Sequence, residues 1–189
     1  MEGIFATYLI YPRDFVFEAR FELLNMLNNL STKFPELKDA ERYLIVNPEG
    51  YKGILIVDLR DVLKDVEKER KEKMAREILL EFEKNKEEGM IKYLQKLLIL
   101  DAIVNTDIEE ISKAVERLKD KVKGKWRITL KTRKWPIDRM QLIRKAAEPI
   151  EMPVDLENPE YEVIIQIFGK LTGIAIIKRK SEEASSHHL

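Results

Sequence analysis

VDLENPEYEVIIQIFGKLTGIAII, residues 154–177, is the stretch from which the fold is read. Its segments EVIIQIF and TGIAIIK are apolar almost without interruption. Continuous apolarity means burial on both faces, as in the middle of a layered α/β sheet. Gly169 and Lys170, between the two segments, provide the turn that joins them.

Upstream of this pair, KWRITLK alternates Trp126, Ile128 and Leu130 with Arg127, Thr129 and Lys131. Such alternation predicts a half-buried strand with a cationic outer face. The loop TRKWPI leads into a predicted helix from about Asp138 to Glu148, with Met140, Ile143 and Ala147 inward and Arg139, Arg144 and Lys145 towards water. Further back, Thr106, Asp107, Ile108 and Glu109 form a capping-box pattern. The helix they open continues through Ile111, Val115, Leu118 and Val122.

The first half alternates strands and helices. Ile4 to Tyr11 is a β-rich apolar run closed by Pro12. Asp14 is placed to cap a helix from about Phe15 to Leu30 whose inward residues are Ala19, Leu23, Met26, Leu27 and Leu30. RYLIVN and GILIVD, separated by PEGYK, have the chemistry of a hairpin. A long charged helix is expected from about Asp61 to Glu88, with Val62, Val66, Ile78, Leu79 and Phe82 as its stripe and the turns EKERKEK in solvent. KLLILDAIV, Lys96 to Val104, reads as a returning strand, and the order β-α-β-β-α-β describes a ferredoxin-like unit.

With 44 % apolar and 36 % charged residues, the chain is neither a disordered segment nor a membrane span. No apolar run approaches the roughly 20 residues a bilayer helix needs, and the amino terminus lacks a secretory pattern, so a cytoplasmic location is expected. Cysteine is absent, and the only histidines are His187 and His188, in the terminal SEEASSHHL. Thiolate nucleophiles, histidine bases and the usual metal clusters have no members, so no catalytic site, metal or cofactor is expected. From Arg117 to Lys180 there are 16 Lys and Arg against 8 Asp and Glu, whereas the remainder carries 18 against 26. A basic stretch of this kind points to phosphate-rich partners or to a solvated surface.

With these residues in place, the carboxy-terminal half resembles the THUMP domain, found in enzymes and adaptors that modify tRNA. The pattern V-D-L, N-P, apolar strand, short turn, G-I and second apolar strand is met by residues 154–177. WRITLKTR and LIRKAAEPI are also similar to the family, whose K-x-R at the strand end corresponds to Lys131 and Arg133. IKYLQKLLILDAIVNTDIEEISKAVERL looks like the lead-in of the small non-catalytic branch that assists formation of 4-acetylcytidine in tRNA.

The resemblance implies an α/β (α+β) chain. A ferredoxin-like domain at 1–88 precedes a THUMP RNA-binding domain at 89–180, and residues 181–189 form a tail. It also implies recognition of the tRNA acceptor end on behalf of a separately encoded modifying enzyme, an acetyltransferase first. A general RNA-binding module, or a partner of a thiolation or methylation enzyme, is the alternative. Lys131, Arg133, Lys134 and Arg139 gather where a strand ends and a helix begins, a position that favours anions. With Arg144 and Lys145 they are expected to make a continuous phosphate-binding strip. Lys170 at the hairpin tip, and Lys178, Arg179 and Lys180 after the last strand, are further candidates. Trp135 either stacks on an unpaired base or anchors packing beside Pro136. Trp126 is expected in the core, Asp155 and Asn158 in a structural turn, and Asp107 at a helix start.

Overall fold

A computed structural model describes residues 1–132 and 135–179 of the chain. It divides into two units, Met1–Leu100 and Asp101–Leu189.

In the first unit the amino-terminal apolar run forms β1 (Gly3–Tyr8), followed by α1 (Val16–Leu30), β2 (Leu44–Val46), β3 (Ile54–Asp58), α2 (Lys68–Glu87) and β4 (Leu94–Leu100). The sheet order is β2-β3-β1-β4 with every neighbour antiparallel. This is the β-α-β-β-α-β ferredoxin-like arrangement expected from the sequence. Alternate residues of β1, Ile4, Ala6 and Tyr8, join Leu55 and Val57 of β3 in one core with both helices. The α1 residues buried there are Ala19, Leu23, Met26, Leu27 and Leu30, the stripe read from spacing alone. Asp14 accepts from the Val16 amide at 3.0 Å and so starts that helix. One turn and a half later, the Glu22 carboxylate accepts from the backbone amides of Lys92, Tyr93 and Leu94 at 2.6, 2.9 and 2.9 Å, tying α1 to the start of β4.

The β2–β3 hairpin is held by Asn47, whose Oδ1 accepts from the Tyr8 hydroxyl at 2.9 Å and the Gly53 amide at 3.1 Å. Gly53 has φ +88°, and a Cβ there would stand 3.3 Å from Ile10 Cγ2, so both backbone and space select glycine.

The charged helix is shorter than expected and turned. It begins at Lys68 rather than Asp61, while Val62 and Val66 pack against the core from the preceding turns. Its buried residues are Met74, Ile78 and Phe82, a strict four-residue spacing, which leaves Leu79 partly exposed. The EKERKEK turns are not wholly in solvent either. Arg70 donates two hydrogen bonds to Glu36, at 2.5 and 2.8 Å, over the Phe34 ring.

KLLILDAIV is two strands and not one. β4 ends at Leu100 paired with β1, and β5 (Ala102–Asn105) pairs with β8 (Leu171–Lys178) in a second sheet. Asp101 marks the change, its carboxylate accepting from Lys121 Nζ and the Ile176 amide, both at 2.7 Å. The division therefore falls at Leu100 and Asp101 instead of the expected 88 and 89, because β4 hydrogen-bonds within the first sheet.

The second unit continues with α3 (Ile108–Leu118), β6 (Trp126–Lys131), α4 (Arg139–Ala147) and β7 (Tyr161–Ile167). Its sheet order is β5-β8-β7-β6; β6 is parallel to β7, and β8 is antiparallel to both β7 and β5. Trp126 is buried as expected, its Nε1 donating to the Met152 carbonyl at 2.8 Å. It shares a core with Ile111, Ala114, Val115, Leu142, Val163, Ile165 and Ile174. The inward face of α4 differs from the expected one. Leu142 and Ala146 are buried and Met140 is 69 % exposed, because Met140 lies two positions from Leu142 on the opposite side of the helix. Among the described residues, no helix is long and apolar enough to cross a membrane.

Candidate nucleic-acid interface

Because β8 runs against both β5 and β7, and β6 runs with β7, the strands β5, β6 and β7 all end at the same side of the second sheet. α3 and α4 follow β5 and β6, so both helices begin there. Each has a capped start. Asp107 accepts from the Glu110 amide at 3.0 Å and Asp138 from the Gln141 amide at 3.1 Å. The cap of α3 is thus one residue later than the Thr106 capping box predicts. Thr106 instead pins the β7–β8 turn, its amide donating to the Lys170 carbonyl at 2.8 Å and its hydroxyl lying 2.6 Å from the Gly169 carbonyl. The backbone dipoles of the two helix amino termini add positive potential at this sheet end, against which stand the Asp107 and Asp138 carboxylates that cap them.

Three expected cations stand at this end. Lys131 closes β6, Arg139 opens α4 and Lys170 tops the β7–β8 turn, all three exposed. None makes an ion pair with a described residue. Arg133 and Lys134 lie outside the described residues, as does Lys180. Trp135 is half-buried and packs against the second core, the anchoring role of the two considered.

The other expected residues do not join them, and the strip is not continuous. At roughly 100° per residue, Arg144 points about 140° away from Arg139 around α4. Lys145 lies 3.7 Å from Glu109 of α3 and 4.0 Å from Glu148. Lys178 and Arg179 sit at the far end of β8, against the opposite end of the sheet. There Arg179 meets Glu162 at 3.4 Å, and the same carboxylate accepts from Arg127 at 2.8 Å and Thr129 at 3.0 Å. The outer face of β6, cationic by sequence, is therefore neutralised except at Lys131. Glu162 had no local signal, since it opens an apolar strand and meets its partners only through the β6–β7 pairing.

The charge division also changes once the unit boundary is known. Unit 1 has 17 Lys and Arg against 19 Asp and Glu, and unit 2 has 17 against 15. The basic excess belongs to the segment after Arg117, and the stretch Asp101 to Glu116 offsets it with Asp101, Asp107, Glu109, Glu110 and Glu116. Most of these carboxylates are engaged: Asp101 with Lys121, Asp107 at its cap, Glu109 beside Lys145. Asp155 accepts from the Glu157 and Asn158 amides at 3.1 and 2.9 Å. Those amides, the Asn158 one foremost, hold its carboxyl below the usual range.

No protein-family profile and no curated protein matches the sequence. Solved structures do. PH1313 from Pyrococcus horikoshii aligns over 96 % of this chain and 56 % of its own, with 18 % identity and a TM-score of 0.58. A 4-thiouridine synthetase, solved in complex with RNA and with ATP bound, aligns over 95 % of this chain and 42 % of its own, with 12 % identity and a TM-score of 0.54. This chain has their fold. The expected class, α/β with a ferredoxin-like unit followed by a THUMP-type α/β unit, is the one they share with it. The THUMP domain of THUMP domain-containing protein 1 is also similar, at 26 % identity over 40 % of this chain and 89 % of that one, with a TM-score of 0.37. The chain spans about half the length of the first two structures.

Proposed function

We propose that the protein is a non-catalytic tRNA-binding adaptor that presents tRNA, by its acceptor end, to a separate modifying enzyme. The observation that carries this reading is the end of the second sheet. Lys131, Arg139 and Lys170 stand at that end beside two helix amino termini, free of ion pairs among the described residues. Phosphates bind where unpaired cations and oriented amides meet, and each such contact adds salt-sensitive affinity. A protein of the same fold has been solved with RNA, which supports the class of ligand.

The absence of chemistry of its own rests on composition: no cysteine, and histidines only at His187 and His188. An acetyltransferase making 4-acetylcytidine is the partner suggested by the sequence resemblance; the fold shared with a 4-thiouridine synthetase favours a thiolation enzyme as second reading. Filter binding of the full chain to tRNA, a short RNA duplex and DNA across a salt series tests the adaptor role. Preference for folded tRNA with a negative salt slope is expected; equal affinity for all three would refute it. Nucleoside mass spectrometry of tRNA from cells lacking the protein separates the partners, since loss of 4-acetylcytidine supports one and loss of 4-thiouridine the other.

A further inference from the structure

Thr106 stands at the start of α3 without capping it, since the cap is Asp107. Its hydrogen bonds go to the β7–β8 turn. Asn105, the last residue of β5, pairs with Leu171 of β8, so the register brings Thr106 level with that turn. Its amide donates to the Lys170 carbonyl at 2.8 Å, and its hydroxyl donates to the Gly169 carbonyl at 2.6 Å. A hydroxyl has one proton, so with that proton on Gly169 its oxygen accepts from the Thr172 hydroxyl, 2.8 Å away. Thr172 is fully buried, which anchors this chain of hydroxyls in the unit.

The central residues of the turn are Gly169, at φ +94°, and Lys170. The Phe168 amide closes it on the Leu171 carbonyl at 3.1 Å. Beyond that closure a glycine lends the backbone little steric restraint of its own. Thr106 supplies restraint by holding both carbonyls of the turn, and it does so from the residue next to the α3 cap.

We propose, resting on the tRNA-binding role proposed for this sheet end, that Thr106 is a positioning residue: it fixes the backbone from which Lys170 reaches a phosphate and touches no phosphate itself. Ordering a loop and a long side chain on contact costs affinity, and a turn held in advance lowers that cost. Lys131 and Arg139 have their backbones fixed by β6 and α4; Lys170, on a turn, depends on Thr106 for the same service. Thr106 is neutral, so its loss alters geometry at the sheet end and leaves the charge there unchanged.

A double-mutant cycle on tRNA binding by the full chain, read by filter binding across a salt series, tests this. Lys170→Ala is expected to weaken binding about twofold to threefold and to lower the salt slope by about 0.7 to 0.9, the loss of one phosphate contact. Thr106→Val keeps the branched shape and removes the hydroxyl. It should cost no more than Lys170→Ala does, and nothing further in a Lys170→Ala chain, because both changes act on one contact. In a Lys131→Ala chain the same change keeps its full factor, and Thr106→Ser, which retains the hydroxyl, binds as the wild type does. Should tryptophan fluorescence show Thr106→Val to be unfolded, Thr172→Val, which removes only the inner hydroxyl, enters the same cycle with a smaller expected factor. Wild-type affinity in Thr106→Val, an equal loss with and without Lys170, or a Thr106→Ser chain as weak as Thr106→Val overturns the proposal while Lys170→Ala still weakens binding. Wild-type affinity in Lys170→Ala overturns it too; if Lys131→Ala and Arg139→Ala are equally silent, the proposed tRNA-binding end has failed with it.

Discussion

Unit 1 carries 17 basic and 19 acidic residues and unit 2 carries 17 and 15, yet they dispose of these charges differently. In unit 1 the long cations reach across elements to carboxylates: Lys33 to Glu77, Arg70 to Glu36, Arg20 to Glu41. Its conspicuous exposed groups are instead the aromatic pair Phe17 and Phe21 on α1. In unit 2, Arg127, Arg179, Lys121 and Lys145 are met by carboxylates, while Lys131, Arg139 and Lys170 at the strand ends make no ion pair with a described residue. Net charge hardly separates the units. Arrangement does, and it leaves one unit with exposed aromatic side chains on a helix and the other with exposed cations at the strand ends.

The sharpest way to separate them is to damage one core. Both tryptophans, Trp126 and Trp135, are in unit 2, so tryptophan fluorescence reports that unit alone. Trp126→Ala removes a fully buried ring and its hydrogen bond to Met152, and should lower stability by about 3–5 kcal/mol. Guanidinium unfolding followed by Trp135 fluorescence measures it; a loss under about 1 kcal/mol would mean the ring is not the centre of that core. The corresponding change in unit 1 is Glu22→Ala, which strips three amides at the start of β4 of their acceptor. A loss of about 2 kcal/mol is expected by denaturation monitored with circular dichroism. No loss would show that water replaces the carboxylate freely.

Next in size comes Lys131→Ala/Arg139→Ala/Lys170→Ala. The three side chains are exposed, so each change should alter folding by under about 0.5 kcal/mol. If each contacts one phosphate, the salt slope for tRNA binding should fall by about 2 to 3 in all, with affinity down at least about tenfold. Arg144→Ala and Lys178→Ala should do less, since the fold sets them apart from the strand ends. The comparison breaks if the triple variant binds as the wild type does while these two do not.

The smallest effect concerns the ion pairs of unit 1 in acid. The hydrogen-bonded Arg70 holds the Glu36 carboxyl below its ordinary value, Arg13 does the same for Glu18, and Lys33 for Glu77. A carboxyl lowered in the folded state adds stability above its unfolded pKa and loses it as the pH falls through the folded value. Glu36→Gln should therefore cost a little at neutral pH and nothing once the pH is below the folded value. A cost that persists in strong acid would assign the effect to packing.

Much of this was legible along the chain. The α1 stripe, the β2–β3 hairpin and the buried Trp126 follow from spacing and turn chemistry acting over a few residues. KLLILDAIV was misread because an apolar run does not say which sheet it pairs with, and α4 because Met140 and Leu142 are equally apolar. The strip of cations from Lys131 to Lys145 was misread for a different reason. Helical position had to be combined with carboxylates contributed by other elements.

The sequence by itself determined most of the elements, the absence of cysteine and the presence of many cations from Arg117 onward. Which cations remain free was decided by tertiary structure. Arg127 and Glu162 are 35 positions apart and Arg70 and Glu36 are 34 apart, and they meet only because strands pair and helices pack. Charge acts through space at a few ångströms, so a list of residue types cannot say where it is neutralised until the fold sets those distances.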